Sequence, residues 1–215
     1  MEMTATPSPM REFLARTPVM PVLTIRDAAV AGDLAHALVD GGIEVFEVLM
    51  RTPAAADAIS AMVAAEPKAR VGAGTLLTPA DVARAVDAGA SFGVAPGLTE
   101  TLGRAVRERK LPFLPGVATA SEIMAALELG FEEQKFFPAH GAAAITWLKS
   151  VAGVFPNVTF CPTGGILAEH VDGYISLPNC TTIGCSWVVP ADLVAARDWK
   201  AITALAAHAA AMRRA

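Results

Sequence analysis

No apolar run in this chain approaches the roughly 18 residues that a membrane-spanning helix needs, although 53% of its 215 residues are hydrophobic and the mean hydropathy is +0.46. Much of the apolar excess is alanine spread through amphipathic segments such as 80–88 and 201–212. Charge of one sign is also scarce. The 17 basic residues against 21 acidic ones give a net charge of −4, and no basic face stands out, which argues against nucleic acid as a partner. Residues 1–18 are polar with scattered charge and lack the apolar core of a signal peptide. Cysteine is rare: Cys161, Cys180 and Cys185 form no C-x-x-C pair. An odd count without a secretion signal reads as reduced thiols in a cytoplasmic protein. The histidines at 36, 140, 170 and 208 offer no metal-ligand spacing.

What is present is a rhythm. Short apolar or β-rich segments at 19–25, 45–50, 70–75, 92–95, 112–116, 133–138, 159–163 and 181–184 alternate with helical stretches at 27–40, 52–65, 79–88, 100–109, 120–128, 143–152 and 168–174. A last helix is expected over 199–212. Thr78-Pro79 is an N-cap followed by proline at the first helical position, and Gly89 and Gly130 stand where a helix stops in a left-handed residue. Strict alternation implies a parallel sheet, closed or doubly wound. Eight units favour the closed (β/α)8 barrel, filling residues 1–215 as one domain with no linker. In that fold the catalytic groups sit at the C-terminal ends of the strands.

Only five lysines occur, and four of them fall on expected helices or polar loops. Lys135 instead lies within a strand, directly before Phe136, Phe137 and Pro138. Partial desolvation there favours a neutral, nucleophilic amine, as attack on a keto carbonyl requires. The plainer alternative is a strand-end lysine reaching solvent along its stem. Glu47, Leu49 and Arg51 share one face of the second strand by its period of two, while Phe46, Val48 and Met50 face the helices. An inward carboxylate is costly without a partner or a task. Either Glu47 and Arg51 form a structural ion pair, or Glu47 transfers protons and Arg51 holds a substrate carboxylate. Gly72-Ala73-Gly74-Thr75 ends the third strand, where the glycines could simply allow close packing. Thr163-Gly164-Gly165 and Gly184-Cys185-Ser186 end the seventh and eighth strands, where barrels commonly bind phosphate.

Taken together, Glu47-Val-Leu-Met-Arg51-Thr52, Val71-Gly-Ala-Gly-Thr75, Ala95-Pro-Gly-Leu-Thr99-Glu100, Pro115-Gly116, Lys135-Phe-Phe-Pro-Ala139, Phe160-Cys-Pro-Thr-Gly-Gly-Ile166 and Ile183-Gly-Cys-Ser-Trp187 resemble the 2-keto-3-deoxy-6-phosphogluconate (KDPG) aldolases, also active on 4-hydroxy-2-oxoglutarate (KHG). The motifs run in order from about Pro18 to Pro190, and as a set they are highly specific. The resemblance implies a class I aldolase with Lys135 as the Schiff-base lysine and Glu47 as general acid/base. Arg51, Thr75 and Thr163 would surround the pyruvyl end, and Gly164, Gly165 and Ser186 would take the phosphate. Pro96 and Phe137 would wall the site. It further implies a phosphorylated 2-keto acid substrate, pyruvate as product, no metal or organic cofactor, and a homotrimer.

The chain departs from the family pattern at Leu49, where threonine is common, and at His140-Gly-Ala-Ala-Ala, where an acidic residue and Asn-Gly-Gly are common. Both bear on specificity more than on chemistry. The Cys-Pro-Thr before Gly-Gly looks more like the gluconate branch than like relatives acting on the galactonate epimer. Two rival readings remain at this level: a non-covalent isomerase with Glu47 as base, and a silent barrel that only binds a phosphorylated metabolite.

Overall fold

The computed structural model describes residues 8–212. The first seven residues, part of the polar N-terminal stretch, and the last three of the expected 1–215 domain lie outside the described residues.

The chain runs α1 (Pro9–Ala15), β1 (Val19–Leu23), a 3-10 turn (Ala28–Val30), α2 (Ala31–Asp40), β2 (Val45–Leu49), α3 (Ala55–Ala65), β3 (Arg70–Gly74), α4 (Pro79–Asp87), β4 (Phe92–Val94) and α5 (Glu100–Glu108). It continues with β5 (Phe113–Leu114), β6 (Gly116–Val117), α6 (Ala120–Glu128), β7 (Glu133–Phe136), α7 (Gly141–Ala152) and β8 (Thr159–Pro162). After a second 3-10 turn (Ala168–His170) come α8 (Val171–Ile175), β9 (Ile183–Cys185), α9 (Ala191–Ala196) and α10 (Trp199–Ala211). Among the described residues no helix is long and apolar enough to cross a membrane.

Local chemistry explains most of these boundaries. Thr78 accepts from the Asp81 N–H while the Asp81 carboxylate accepts from the Thr78 N–H, and Thr119 and Glu122 do the same at α6. Each box satisfies two donors that a helix start otherwise leaves bare. Gly89 and Gly130 follow α4 and α6 with φ of +86° and +78°, as their helix-stop reading requires.

Every recorded strand pairing is parallel. One sheet has the order β5-β4-β3-β2-β1-β9 and the other β6-β7-β8. The expected strand 112–116 is split at Pro115, which has no N–H to give to a ladder. Its carbonyl still accepts from the Lys135 N–H at 2.8 Å. Bridges at Phe160↔Cys180 and Thr163↔Gly184 link β8 to the β9 side, so the parallel sheet is strongly curled.

Two expected helix starts shift. The helix expected over 27–40 opens with a 3-10 turn capped by Asp27, and the one expected from 52 begins at Ala55 after a turn. Helices α1 and α9, seven and six residues long, were not legible, being too short to show a 3.6 period. Two apolar clusters hold the sheet. The larger packs Phe46, Val48, Val71 and Ala73 against the helices, with Met50 at its edge, the division of β2 that its alternation implied. The smaller lies on the concave face, where Met10 and Leu14 of α1 join Met20, Val45, Phe92, Val94, Leu114 and Cys161.

Candidate active site

Lys135 occupies the third position of β7, with Gly116 and Cys161 as register partners on either side. It is only 6% exposed. Its Nζ lies 3.7 Å from Glu47 Oε1 and 5.2 Å from the centroid of the Phe137 ring. Glu47 is fully buried, and neither carboxylate oxygen receives a hydrogen bond from a described residue. A buried carboxylate left this bare is expensive, and Lys135 is its electrostatic partner.

Small residues make room for this pair. A Cβ on Gly74 would collide with the Glu47 carboxylate, and one on Gly72 would strike the Phe92 ring. The Gly-Ala-Gly run is therefore a packing device, but one that fits the third strand around Glu47. Gly184 is bare for the same reason, since a Cβ there would strike Thr163 Oγ1.

Arg51 does not pair with Glu47. Just beyond the end of β2, its Nε donates to Thr75 Oγ1 at 2.9 Å. The structural Glu–Arg pair considered above is thus replaced by a Glu47–Lys135 pair below an Arg51–Thr75 pair. Thr75 has a left-handed φ of +63°, unusual for a β-branched residue. Strain of this kind concentrates at sites where a side chain must be aimed.

Above Lys135 opens a cavity of about 340 Å³. Of the ten residues singled out by sequence, Arg51, Lys135, Phe137, Thr163, Gly164, Gly165 and Ser186 line it. Glu47 lies beneath and Thr75 joins through Arg51. Pro96, expected as a wall, is not among the lining residues, because its backbone abuts Gly116, one strand away from Lys135. Gly164 and Gly165 take φ of +110° and +71°, which favours glycine at both positions of the turn.

Val22, Thr24, Leu49, Ile166, Leu167, Cys185 and Trp187 also line the cavity. The strand-end rule could have found Thr24, just past β1, and the period of two pointed Leu49 inward. Ile166 and Leu167 follow the Gly-Gly turn with no local signal. A larger cavity of about 570 Å³ shares Val22, Thr24 and Ser186 with the first, but it contains neither Lys135 nor Arg51. Size here does not track chemistry.

Burial pushes the Cys161 thiol up to about 12, against smaller opposing effects of the Thr163 hydroxyl and Lys135. Burial likewise raises Cys185 to about 12. Neither offers a usable thiolate near neutrality, and both fill space as small buried side chains. Among the described residues no group of three or more His, Cys, Asp or Glu side chains converges as a metal site would require.

The geometry is that of an amine and a carboxylate buried beneath an arginine and a glycine turn, and the chain as a whole resembles known proteins in sequence and fold. The family model for KDPG and KHG aldolases matches residues 10–205. A KHG/KDPG aldolase of Escherichia coli (strain K12) is 44% identical over 197 residues, 92% of each chain. The KDPG aldolase structure of Legionella pneumophila, with pyruvate captured at low pH as a covalent carbinolamine, superposes with a TM-score of 0.91 at 41% identity, covering 95% of this chain and 99% of that one. The KDPG aldolase structure of Zymomonas mobilis ZM4 with 3-phosphoglycerate gives a TM-score of 0.91 at 45% identity, covering 96% and 97%. By sequence along nearly its whole length and by fold, the chain belongs to the KDPG and KHG aldolase family.

Proposed function

We propose that this protein is a class I aldolase that cleaves 2-keto-3-deoxy-6-phosphogluconate to pyruvate and glyceraldehyde 3-phosphate, and 4-hydroxy-2-oxoglutarate to pyruvate and glyoxylate. The observation that carries the proposal is the buried Lys135 amine, 3.7 Å from a fully buried Glu47 at the floor of the cavity.

In the reaction, Lys135 Nζ attacks the C2 carbonyl of the substrate to give a carbinolamine. Glu47 delivers the proton that lets the C2 hydroxyl leave as water, forming a protonated imine. This iminium is the electron sink. As C3–C4 breaks, its electron pair flows into the iminium to form an enamine, and Glu47 takes the C4 hydroxyl proton as the aldehyde departs. Protonation of the enamine at C3 and hydrolysis of the imine then release pyruvate and free Lys135. No step needs a metal or an organic cofactor.

Arg51, aimed by Thr75, receives the substrate carboxylate in a bidentate pair, and Thr163 borders the carbinolamine. Gly164, Gly165 and Ser186 offer backbone N–H groups and a hydroxyl to the phosphate. Phe137 packs one wall, with Lys135 Nζ over its ring. The carbinolamine in the Legionella enzyme and the 3-phosphoglycerate in the Zymomonas enzyme support the covalent step and an anion-accepting distal end.

The same reading completes the architecture. With β5 and β6 as one strand broken at Pro115 and the Thr163↔Gly184 bridge as the closing contact, the curled sheet reads as a closed (β/α)8 barrel, a single domain. A homotrimer working in the cytoplasm, without nucleic-acid or membrane partners, fits the family and the composition.

Incubation with pyruvate and borohydride, followed by intact mass and peptide mapping, tests the central claim. One reduced pyruvyl adduct on Lys135 is expected. A folded protein with no adduct would remove the covalent mechanism and leave Glu47 as a base in a non-covalent reaction.

A further inference from the structure

His140, the residue immediately before α7, has no part in the chemistry above, yet its ring lies against the Gly-Gly turn. Nδ1 and Cε1 stand 3.0 and 3.3 Å from the point a Cβ on Gly165 would occupy. The backbone on both sides of it is held. The Ala139 N–H donates to the Thr163 carbonyl at 2.9 Å. The buried Tyr174 hydroxyl lies 3.4 Å from the carbonyl oxygens of both Ala139 and Gly141. The ring itself is exposed, does not cap α7, and makes no hydrogen bond or ion pair with a described residue. An anchored backbone thus presents an uncommitted imidazole beside the glycine turn.

We propose that His140 is a specificity-determining residue that donates a ring N–H to the substrate phosphate, raising the preference for phosphorylated over unphosphorylated 2-keto acids. The inference rests on the reading of Gly164-Gly165 as the phosphate turn. Gly165 lets the ring sit this close, because a Cβ there would crowd it by a few tenths of an ångström, and the φ of +71° favours glycine as well. Imidazole suits the task, being a donor that can also carry positive charge. It stands beside the turn read as the phosphate end, at the rim and not in the cavity lining, whereas the cavity's cations, Arg51 and Lys135, serve the end read as pyruvyl. The short substrate 4-hydroxy-2-oxoglutarate carries no phosphate for His140 to meet, so the residue discriminates between the two substrates and takes no part in the bond cleavage they share.

Steady-state kinetics of the full chain on KDPG and KHG give the test, read as the ratio of the two kcat/KM values. His140→Ala is expected to lower the KDPG:KHG ratio about fivefold, the scale of a solvent-exposed charged contact, through KM for KDPG and not through kcat. His140→Glu lowers it further, and His140→Lys restores it to within about twofold, a rescue that a merely structural histidine would not show. Ser186→Asp, which sets a negative charge in the proposed phosphate pocket, is the control. If Ser186→Asp lowers the ratio and the His140 series does not, the role of His140 is overturned and the phosphate turn stands. If neither lowers it, the phosphate reading falls and this inference falls with it.

Discussion

At the start of β2 the inward side chain is Val45, sealed among Met10, Leu14, Met20, Phe92, Val94, Leu114 and Cys161. Two residues on, it is Glu47, fully buried beside Lys135, and two further it is Leu49, on the cavity wall. One strand thus crosses from an apolar plug to a charged floor to a ligand-sized opening within five residues. Below, α1 closes the concave face, with Arg11 Nε donating to Glu133 at 2.6 Å and its guanidinium to the Asn157 carbonyl at 2.9 Å. Above, Lys135 faces the cavity bordered by the Gly164-Gly165 turn. Burial of apolar area stabilises the lower end, and that surplus lets the upper end keep a carboxylate without hydrogen bonds and a threonine at positive φ. Stability and chemistry are separated along the strand axis.

The sharpest way to break this division is at the floor. Lys135→Met should fold with an unchanged circular dichroism spectrum and lose turnover by roughly 10⁴-fold or more, as deletion of a covalent nucleophile does. Substantial residual cleavage would refute the role of the lysine. Glu47→Gln keeps the shape and removes the proton carrier. We expect kcat to fall by roughly 10² to 10⁴-fold while pyruvate and borohydride still label Lys135, only more slowly. If labelling kept its full rate, Glu47 would take no part in the dehydration that forms the imine and would act only in the later steps.

The lower end should respond in the opposite sense. Leu14→Ala removes a fully buried side chain from the plug, and urea unfolding should show a loss of about 3 kcal/mol. The kcat of the protein that remains folded should stay within about twofold of the parent. A large loss of kcat at unchanged stability would mean that α1 positions the site and does not merely close the sheet.

The fold was legible where local chemistry and periodicity agreed. Thr78-Pro79, Gly89 and Gly130 marked helix ends correctly, and the alternation of β2 placed Phe46 and Val48 outward and Glu47 inward. Helix α1 was not legible, because seven residues carry no full period and its stability comes from packing of Met10 and Leu14 against residues remote in sequence. In the site, the strand-end rule together with the family motifs found seven residues that line the cavity, but it could not say which charges would pair. The Glu47–Lys135 contact joins β2 to β7, and only the curl of the sheet brings those strands face to face. Pro96 shows the converse. Its motif is intact, but the chain after β4 turns it onto Gly116 and out of the cavity.

Two of the three buried thiols give the finest probe of where plug ends and site begins, since Cys161 sits in the plug and Cys185 on the cavity wall. Both are pushed by burial from 9.0 to about 12. A thiol whose folded-state value is raised stays protonated in the folded chain while the unfolded chain begins to ionise. Its contribution is therefore fully present below pH 9 and is lost as the pH climbs through 12. Between these limits the unfolded state binds fewer protons, so stability must fall with pH, by about 1.4 kcal/mol per unit for each thiol. Urea unfolding at pH 9.5 and 10.5 on the parent and on Cys161→Ala measures the slope, and lysine and tyrosine titrations common to both cancel in the difference. The variant, though less stable overall, should show a slope shallower by about 1.4 kcal/mol per unit. Equal slopes would mean that water reaches Cys161 in the folded chain, and that the plug does not seal the floor beneath Lys135.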